Sequence, residues 1–156
     1  MALDFQIKIL VVEDFKATRK VEIRSLKEIG FNNIVEADDG ESAITKIENE
    51  KDIGLIISDW NMPRKNGYEL LVWVRSHEKY KDLPFIMATA QAEKKEAARA
   101  SKAGANNFLT KPFTPQELKQ VISDTFEEKH GYASDQPEKP RQSVSGKIRL
   151  NIARSE

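Results

Sequence analysis

The stretch "IGLIISDWNMP", residues 53–63, joins a short apolar run to an acidic residue at its end. The run "IGLIIS" (53–58) is rich in β-branched residues and lacks polar alternation, which is typical of a strand buried on both faces of a sheet. We expect it to be the most buried strand of the protein. Asp59 follows it directly, and Pro63 and Gly67 predict a loop before the next helix. Taken alone, Asp59 could be a turn acid, a helix cap or a functional residue.

The same alternation of apolar run and amphipathic segment continues on both sides of this stretch. The other predicted strands are "IKILVV" (7–12), "NIVEA" (33–37), "LPFIMAT" (83–89) and "NNFLT" (106–110). Each of the five strands is followed by a segment with helical periodicity, so five βα units predict a parallel sheet with helices on both faces. Right-handed crossovers and this chain length favour a flavodoxin-like, doubly wound (βα)5 fold, with a parallel five-stranded sheet in the order 2-1-3-4-5.

Helix ends are marked by capping residues. Asp14 can cap the first helix, and Gly30 is placed to close it. Thr114 and Pro115 predict the start of the last helix, a cap followed by proline at the first helical position. One face of that helix is apolar, formed by Leu118, Val121, Ile122 and Phe126.

Composition narrows the class of protein. The 156 residues are 39% hydrophobic and 32% charged, which suits a soluble domain with a substantial core. Cysteine is absent, so disulfides and thiolate chemistry are excluded. The net charge of zero predicts no nucleic-acid partner. No apolar run reaches the ~20 residues of a membrane span, and no signal-peptide pattern opens the chain, so we expect no membrane insertion and a cytoplasmic location.

Polar side chains follow the strands that should lie near the switch point of this sheet. Glu13 and Asp14 end the first strand, and Asp59 ends the third. Thr89 and Lys111 end the fourth and fifth. Because ligands of open α/β sheets bind beyond the carboxyl ends of the strands, we expect these five side chains on one rim.

Three carboxylates placed together repel one another unless a cation joins them. All the candidate ligands are oxygens, which favours Mg²⁺ or Mn²⁺ over zinc. A divalent ion, a lysine and a hydroxyl around one carboxylate are the parts of a phosphoryl-transfer site. The carboxylate is then the nucleophile, and an aspartyl phosphate is the product.

Four motifs, "ILVVED", "IISDWNMP", "MATA" and "FLTKPF", stand in an order and spacing that resembles the response-regulator receiver domain (CheY-like) family of two-component signalling. The resemblance covers about residues 5–128. It implies a phosphorylation-activated switch rather than an enzyme, fed by a sensor histidine kinase with Mg²⁺. It also implies an output surface on the fourth helix, fifth strand and fifth helix that signals to a partner protein, with chemotaxis or motility as a candidate pathway.

The resemblance assigns roles at the metal site. Asp59 matches the phosphoacceptor. Glu13 and Asp14 match the acidic pair that holds Mg²⁺, Asp14 directly and Glu13 largely through water. Asn61 matches the residue whose backbone carbonyl completes the metal site.

It also assigns the switch residues. Thr89 matches the hydroxyl that moves toward the phosphoryl group, and Ala90 matches a small residue that leaves access open. Lys111 matches the lysine that pairs with the phosphoryl group, and its bond to Pro112 is cis in the family. Phe108 matches the aromatic switch that turns inward with Thr89.

Two positions depart from the CheY pattern. Phe108 lacks the hydroxyl of the tyrosine usual there, so one hydrogen bond at the output surface is missing. Gln91 stands in place of glutamate. Position 91 and Asn61 tune the dephosphorylation rate in the family, so the lifetime of the phosphoryl group cannot be transferred to this chain.

Two tryptophans and the fourth helix complete the predictions. We expect Trp60 to be partly exposed beside the site and Trp73 to serve packing.

Residues 91–107 contain no Leu, Ile, Val, Met or aromatic residue. The fourth helix should therefore be weakly anchored and able to shift between two packings.

Three alternatives remain open. A Mg²⁺-dependent phosphatase with an aspartate nucleophile would want a second aspartate at position 61 as general acid, where this chain has Asn. A flavodoxin-like cofactor binder would need a phosphate-cradling loop after the first strand, and "EDFKATRK" offers none. The third is the N-terminal receiver of a longer regulator that controls a downstream output domain.

We expect residues 1–128 to form the receiver, followed by a linker (129–146) and a tail (147–156). The tail is either the first strand of a missing downstream domain or disordered.

Overall fold

The computed structural model describes residues 3–90 and 94–131, with side chains up to residue 127. The strands are β1 (Lys8–Val12), β2 (Ile34–Ala37), β3 (Ile53–Ser58), β4 (Phe85–Thr89) and β5 (Asn107–Thr110). The helices are α1 (Lys16–Ile29), α2 (Gly40–Asn49), α3 (Gly67–Ser76), α4 (Lys94–Ala103) and α5 (Pro115–Gly131). In the part of the chain described here, no helix is both long and apolar enough to cross a bilayer. The predicted tail segment 147–156 and Gln91 lie outside the described residues.

The five strands form one parallel sheet in the order β2-β1-β3-β4-β5, which confirms the predicted topology. Ser58 at the end of β3 is in register with Val12 of β1 and with Met87 of β4. Thr89 at the end of β4 is in register with Thr110 of β5. The strands therefore end at a common edge, where the residues that follow them lie side by side.

Two hydrophobic clusters cover the two faces of the sheet. Leu10, Val12 and Ile56 belong to a cluster completed by α2, α3 and α4. Ile9, Val11, Leu55 and Ile57 face the other way and pack against α1 and α5. This alternation is the period-two pattern of a strand, and the layered result is doubly wound as predicted.

The most completely buried strand is β4 rather than β3, so that prediction is wrong. All five residues of β4 are buried, whereas Gly54 of β3 is half-exposed. Gly54 lies where the register of β3 with β1 shifts, between the pairs Lys8–Ile53 and Ile9–Leu55, so it falls outside the regular pairing.

The two predicted helix caps have different outcomes. Thr114 Oγ1 accepts from the N–H of Glu117 at 3.0 Å, and Glu117 Oε1 accepts from the N–H of Thr114 at 2.8 Å, so a capping box starts α5 as predicted. Asp14 does not cap α1: Phe15 occupies the cap position and makes no side-chain cap bond. Asp14 lies one residue too early and faces the rim, while Glu13 Oε2 accepts from the N–H of Phe15 at 3.0 Å.

The fourth helix contacts the core through alanine side chains and through one stacked cation. Ala100 is its buried residue. The Arg99 guanidinium lies 4.4 Å from the ring centroid of Tyr68 and 5.7 Å from that of Trp60. Trp60 also stacks on Tyr68 at 5.6 Å and is only 6% exposed, so the prediction of a partly exposed Trp60 is wrong. Trp73 packs as predicted, half-buried against the cluster that includes α3.

Candidate functional site

An acidic cluster lies at the edge where β1 and β3 end. Carboxylate oxygens of Glu13, Asp14 and Asp59 all lie within 4.8 Å of one another. The sheet itself holds two of them, because the N–H of Asp59 donates to Val12 O and the N–H of Glu13 donates to Ala37 O, each at 3.0 Å. The backbone hydrogen bonds of the sheet thus continue one residue past β1 and β3. They fix the backbone positions of Glu13 and Asp59, from which the two side chains extend.

Lys111 brings an ammonium group to this cluster from the end of β5. Its Nζ pairs with Glu13 Oε1 and lies 3.4 Å from Asp59 Oδ2. Its backbone N–H donates to Thr89 O at 2.9 Å, which aligns it with the end of β4. Burial lowers the pKa of Lys111, but its ion pairs outweigh burial and raise that pKa above its ordinary value. Lys111 is therefore a fixed positive charge beside Asp59.

The charges of this cluster do not balance. Partial desolvation, together with hydrogen bonding and repulsion from Glu13, raises the pKa of Asp14. One lysine cannot neutralise Glu13, Asp14 and Asp59, so the cluster lacks positive charge. An all-oxygen donor set with surplus negative charge fits a hard divalent cation such as Mg²⁺. The residues present therefore suit the ion that the sequence predicts.

Asp59 is held in place by the backbone N–H of the next residue and by the close start of α3. Its Oδ1 accepts from the N–H of Trp60 at 2.7 Å, and 13% of its side chain is exposed. Gly67 opens α3 against it, and its N–H donates to Trp60 O at 2.8 Å. A Cβ at position 67 would lie 2.0 Å from the Asp59 carbonyl oxygen, so this close approach needs glycine.

The loop that follows Asp59 is tied to α2 by Asp39, a residue that the sequence analysis did not identify. Asp39 is buried, accepts from the N–H of Ser42 at 2.7 Å and pairs with Arg64 of the loop. Burial raises the pKa of Asp39, but its bonds to Ser42 and Arg64 outweigh this and lower the pKa. The N–H of Gly40 donates to Lys65 O at 2.9 Å. The capping-box pattern of Asp39 with Ser42 three residues later was the available signal.

The predicted switch residues occupy different environments. Thr89 is buried at the end of β4, and Ala90 next to it is exposed. Phe108 is half-buried on β5 and packs against the cluster that includes α3 and α4. Their roles in switching stay predictions.

Asn61 and Lys111 complete the predicted set. Asn61 is exposed in the loop after Asp59, and the use of its carbonyl as a metal ligand stays a prediction. The Lys111–Pro112 peptide bond is cis, as the family resemblance implies.

A fourth carboxylate, Glu22 of α1, reaches Lys111 and was missed by the sequence analysis. Glu22 is 5% exposed, and its Oε2 lies 3.5 Å from Lys111 Nζ. Burial raises the pKa of Glu22 to about 7, with Glu13 and Asp59 adding to the shift and Lys111 opposing it. Its helical spacing from the inward-facing Leu26 was the available signal, because residues four apart share one helix face.

Strand alternation explains why a residue of α1 can reach the site. Ile57 of β3, Val11 of β1 and Leu109 of β5 belong to the cluster on the α1 and α5 side of the sheet. Two residues further on, Asp59, Glu13 and Lys111 continue the same face. Glu22 approaches Lys111 from that side.

Comparison with known families and proteins gives a consistent result. The model of the response regulator receiver domain matches residues 9–123. A chemotaxis protein CheY homolog of Campylobacter jejuni is 42% identical over 120 residues, covering 77% of this chain and 92% of the relative. The chemotaxis protein CheY-3 of Vibrio cholerae is 39% identical over 125 residues, covering 80% and 95%.

Solved structures show the same fold. The chemotaxis protein CheY4 of Vibrio cholerae superposes with a TM-score of 0.71 at 30% identity, covering 77% of this chain and 98% of that one. A two-component system response regulator/GGDEF domain protein gives a TM-score of 0.72 at 30% identity. There the match covers 79% of this chain and 50% of the other.

Proposed function

This chain belongs to the response regulator receiver domain family, whose members act as phosphorylation-activated signalling switches, and we propose on that premise that Asp59 is the residue phosphorylated. One observation carries the assignment. Asp59 stands at the end of β3 with two further carboxylates within 4.8 Å and the Lys111 ammonium 3.4 Å away. A nucleophile, a cation site and a fixed positive charge therefore meet at one carboxylate.

The phosphodonor is a phosphohistidine of a sensor kinase. A carboxylate oxygen of Asp59 attacks the phosphorus, the P–N bond breaks, and its electron pair stays on the imidazole nitrogen of the donor. Lys111 pairs with the negative charge of the transferred group, and the Thr89 hydroxyl donates to it. Ala90, small and exposed, leaves the approach to Asp59 open.

The metal in this proposal is Mg²⁺, or Mn²⁺ in its place. Asp14 and Asp59 would hold it with their carboxylates, Glu13 would do so largely through water, and Asn61 would contribute its backbone carbonyl. When bound, the ion neutralises charge on the transferred phosphoryl group. The support is the uncompensated negative charge and the all-oxygen donor set of the described site.

The proposed output surface is formed by α4, β5 and α5. It is supported by the sparse apolar anchoring of α4, in which Ala100 is the buried residue. Phe108 of β5 would report the state of Thr89 to this surface. Asn61 and Gln91 would set the rate at which the phosphoryl group is lost.

The chain is proposed to act in the cytoplasm as a signalling switch. The reactions that it promotes would be the phosphorylation and dephosphorylation of its own aspartate. Residues 1–128 would form the receiver, followed by a linker (129–146) and a tail (147–156). A separate target protein in chemotaxis is the first choice, since the CheY proteins compared are chemotaxis proteins. An output domain fused downstream is the alternative, as in the response regulator/GGDEF domain protein.

Intact mass spectrometry after incubation with acetyl phosphate and Mg²⁺ tests the proposal. We expect one added phosphoryl group on the wild type and none on Asp59→Asn. Asp82→Asn, which removes an exposed aspartate outside the site, is the matched control and should be modified like the wild type. Modification of Asp59→Asn would refute the assignment. Sustained phosphate release at enzyme-like rates would instead indicate a phosphatase.

A further inference from the structure

Glu22 lies within reach of Lys111 but has no part in the chemistry described above. Its Oε2 is 3.5 Å from Lys111 Nζ, nearly the distance that separates Nζ from Asp59 Oδ2, 3.4 Å. The same Nζ also pairs with Glu13. Three carboxylates on three elements of the fold therefore compete for one ammonium group, which has three donors to share.

Packing does not explain a carboxylate at this position. Glu22 is buried on α1 beside Ser25 and Leu26, and its Oε2 has no hydrogen-bond partner in the described part of the chain. An apolar side chain would fill this face of α1 without the cost of burying an oxygen that accepts no hydrogen bond. Among the described residues, what this oxygen has is the attraction of its charge for Lys111 Nζ, 3.5 Å away.

We propose that Glu22 is a positioning residue that draws the Lys111 ammonium toward α1 and so weakens its pull on the phosphoryl group at Asp59. The inference rests on the phosphorylation of Asp59 proposed above. Before Lys111 can pair fully with new phosphoryl oxygens, it must give up part of its interaction with Glu22.

The test is the second-order rate constant of phosphorylation by acetyl phosphate at saturating Mg²⁺ and slightly alkaline pH. We expect Glu22→Gln to raise it by roughly three- to tenfold, which is about 0.7 to 1.4 kcal/mol in the barrier. Glu28→Gln removes the same charge from the exposed side of α1 and should leave the rate unchanged. Glu22→Leu, which fills the site without any carboxyl group, should accelerate the reaction like Glu22→Gln.

A double-mutant cycle shows whether Glu22 acts through Lys111. In a Lys111→Met background, Glu22→Gln should no longer change the residual rate. A second readout needs neither metal nor phosphodonor: in EDTA, Lys111→Met should lower the urea midpoint more in the wild type than in Glu22→Gln. The reason is that Lys111→Met leaves Glu13 without its cation in both proteins, but leaves the buried carboxylate of Glu22 without it only where Glu22 is present.

The outcomes separate this inference from the proposed function. If the wild type gains no phosphoryl group, the assignment of Asp59 fails. If the wild type is phosphorylated and Glu22→Gln is no faster, the role of Glu22 is refuted while Asp59 stands. An acceleration that persists in Lys111→Met also refutes it, because Glu22 would then act without Lys111.

Discussion

Replacing Glu22 by glutamine should stabilise the protein in a pH-dependent way. Glu22 is 5% exposed and carries a carboxylate oxygen with no hydrogen-bond partner among the described residues. Burial raises its pKa from 4.5 to about 7, against the opposing effect of Lys111. Glutamine has nearly the same shape and carries no charge, so the substitution removes the titration and keeps the packing.

The magnitude follows from the two pKa values of Glu22. Between 4.5 and about 7 the folded protein holds a proton that the unfolded chain has released, so stability falls as the pH rises through this window. The full shift corresponds to about 3 kcal/mol of unfolding free energy. From about pH 5.5 to about pH 8.5, wild type should lose about 2 kcal/mol relative to Glu22→Gln.

The assay is urea unfolding of both proteins, without metal and in EDTA, at several pH values across this range. Other groups titrate in both proteins, so the difference between the two unfolding free energies isolates Glu22. Glu28→Gln, on the exposed side of the same helix, should show a difference from wild type that does not change with pH. A difference between Glu22→Gln and wild type that stays flat with pH would refute the reasoning.

Three further predictions concern a close backbone contact, a helix cap and the fluorescence of Trp60. Gly67→Ala should lower stability by about 1 to 3 kcal/mol. It should also slow phosphorylation, because the new Cβ would lie 2.0 Å from the Asp59 carbonyl oxygen; unchanged acetyl phosphate kinetics would contradict this. Thr114→Ala should cost about 1 kcal/mol in urea unfolding and leave the phosphorylation rate as it is, since the cap bond that it removes is made with Glu117 and not with a residue of the site. In Trp73→Phe the remaining Trp60, whose backbone N–H donates to Asp59 Oδ1, should change its emission when Mg²⁺ is added. If Mg²⁺ changes neither this emission nor the phosphorylation of Asp59, the proposed metal site is refuted.

The sheet and its order could be predicted because the information is local. Each strand is a short apolar run and each helix has its own periodicity, so the five βα units are visible residue by residue. Once these are parallel and right-handed, few topologies remain. The order β2-β1-β3-β4-β5 is confirmed for this reason.

The rim of the site could also be predicted, because parallel strands end at one edge. Glu13, Asp14, Asp59 and Lys111 meet there as expected. The capping role of Asp14 could not be predicted correctly, because helix starts shift by a residue and one residue decides whether a side chain caps the helix or faces the rim.

Contacts between elements that are distant in the chain could not be predicted from the sequence. The burial of Trp60 depends on Tyr68 of α3 and Arg99 of α4, which come together only when both helices pack on the same face. The Asp39–Arg64 pair likewise joins the start of α2 to the loop after β3.

The fold and the chemical character of its rim follow from the sequence, because strand and helix periodicity and the residues that end each strand are local properties. The place of Glu22 in the site follows only from the packing of α1 on the sheet. A glutamate in the middle of an amphipathic helix can face solvent or the core. Here α1 packs on the side of the sheet that carries Glu13, Asp59 and Lys111, and this packing turns the side chain of Glu22 inward. A residue that does not follow any strand in the sequence therefore shares the ammonium group of Lys111.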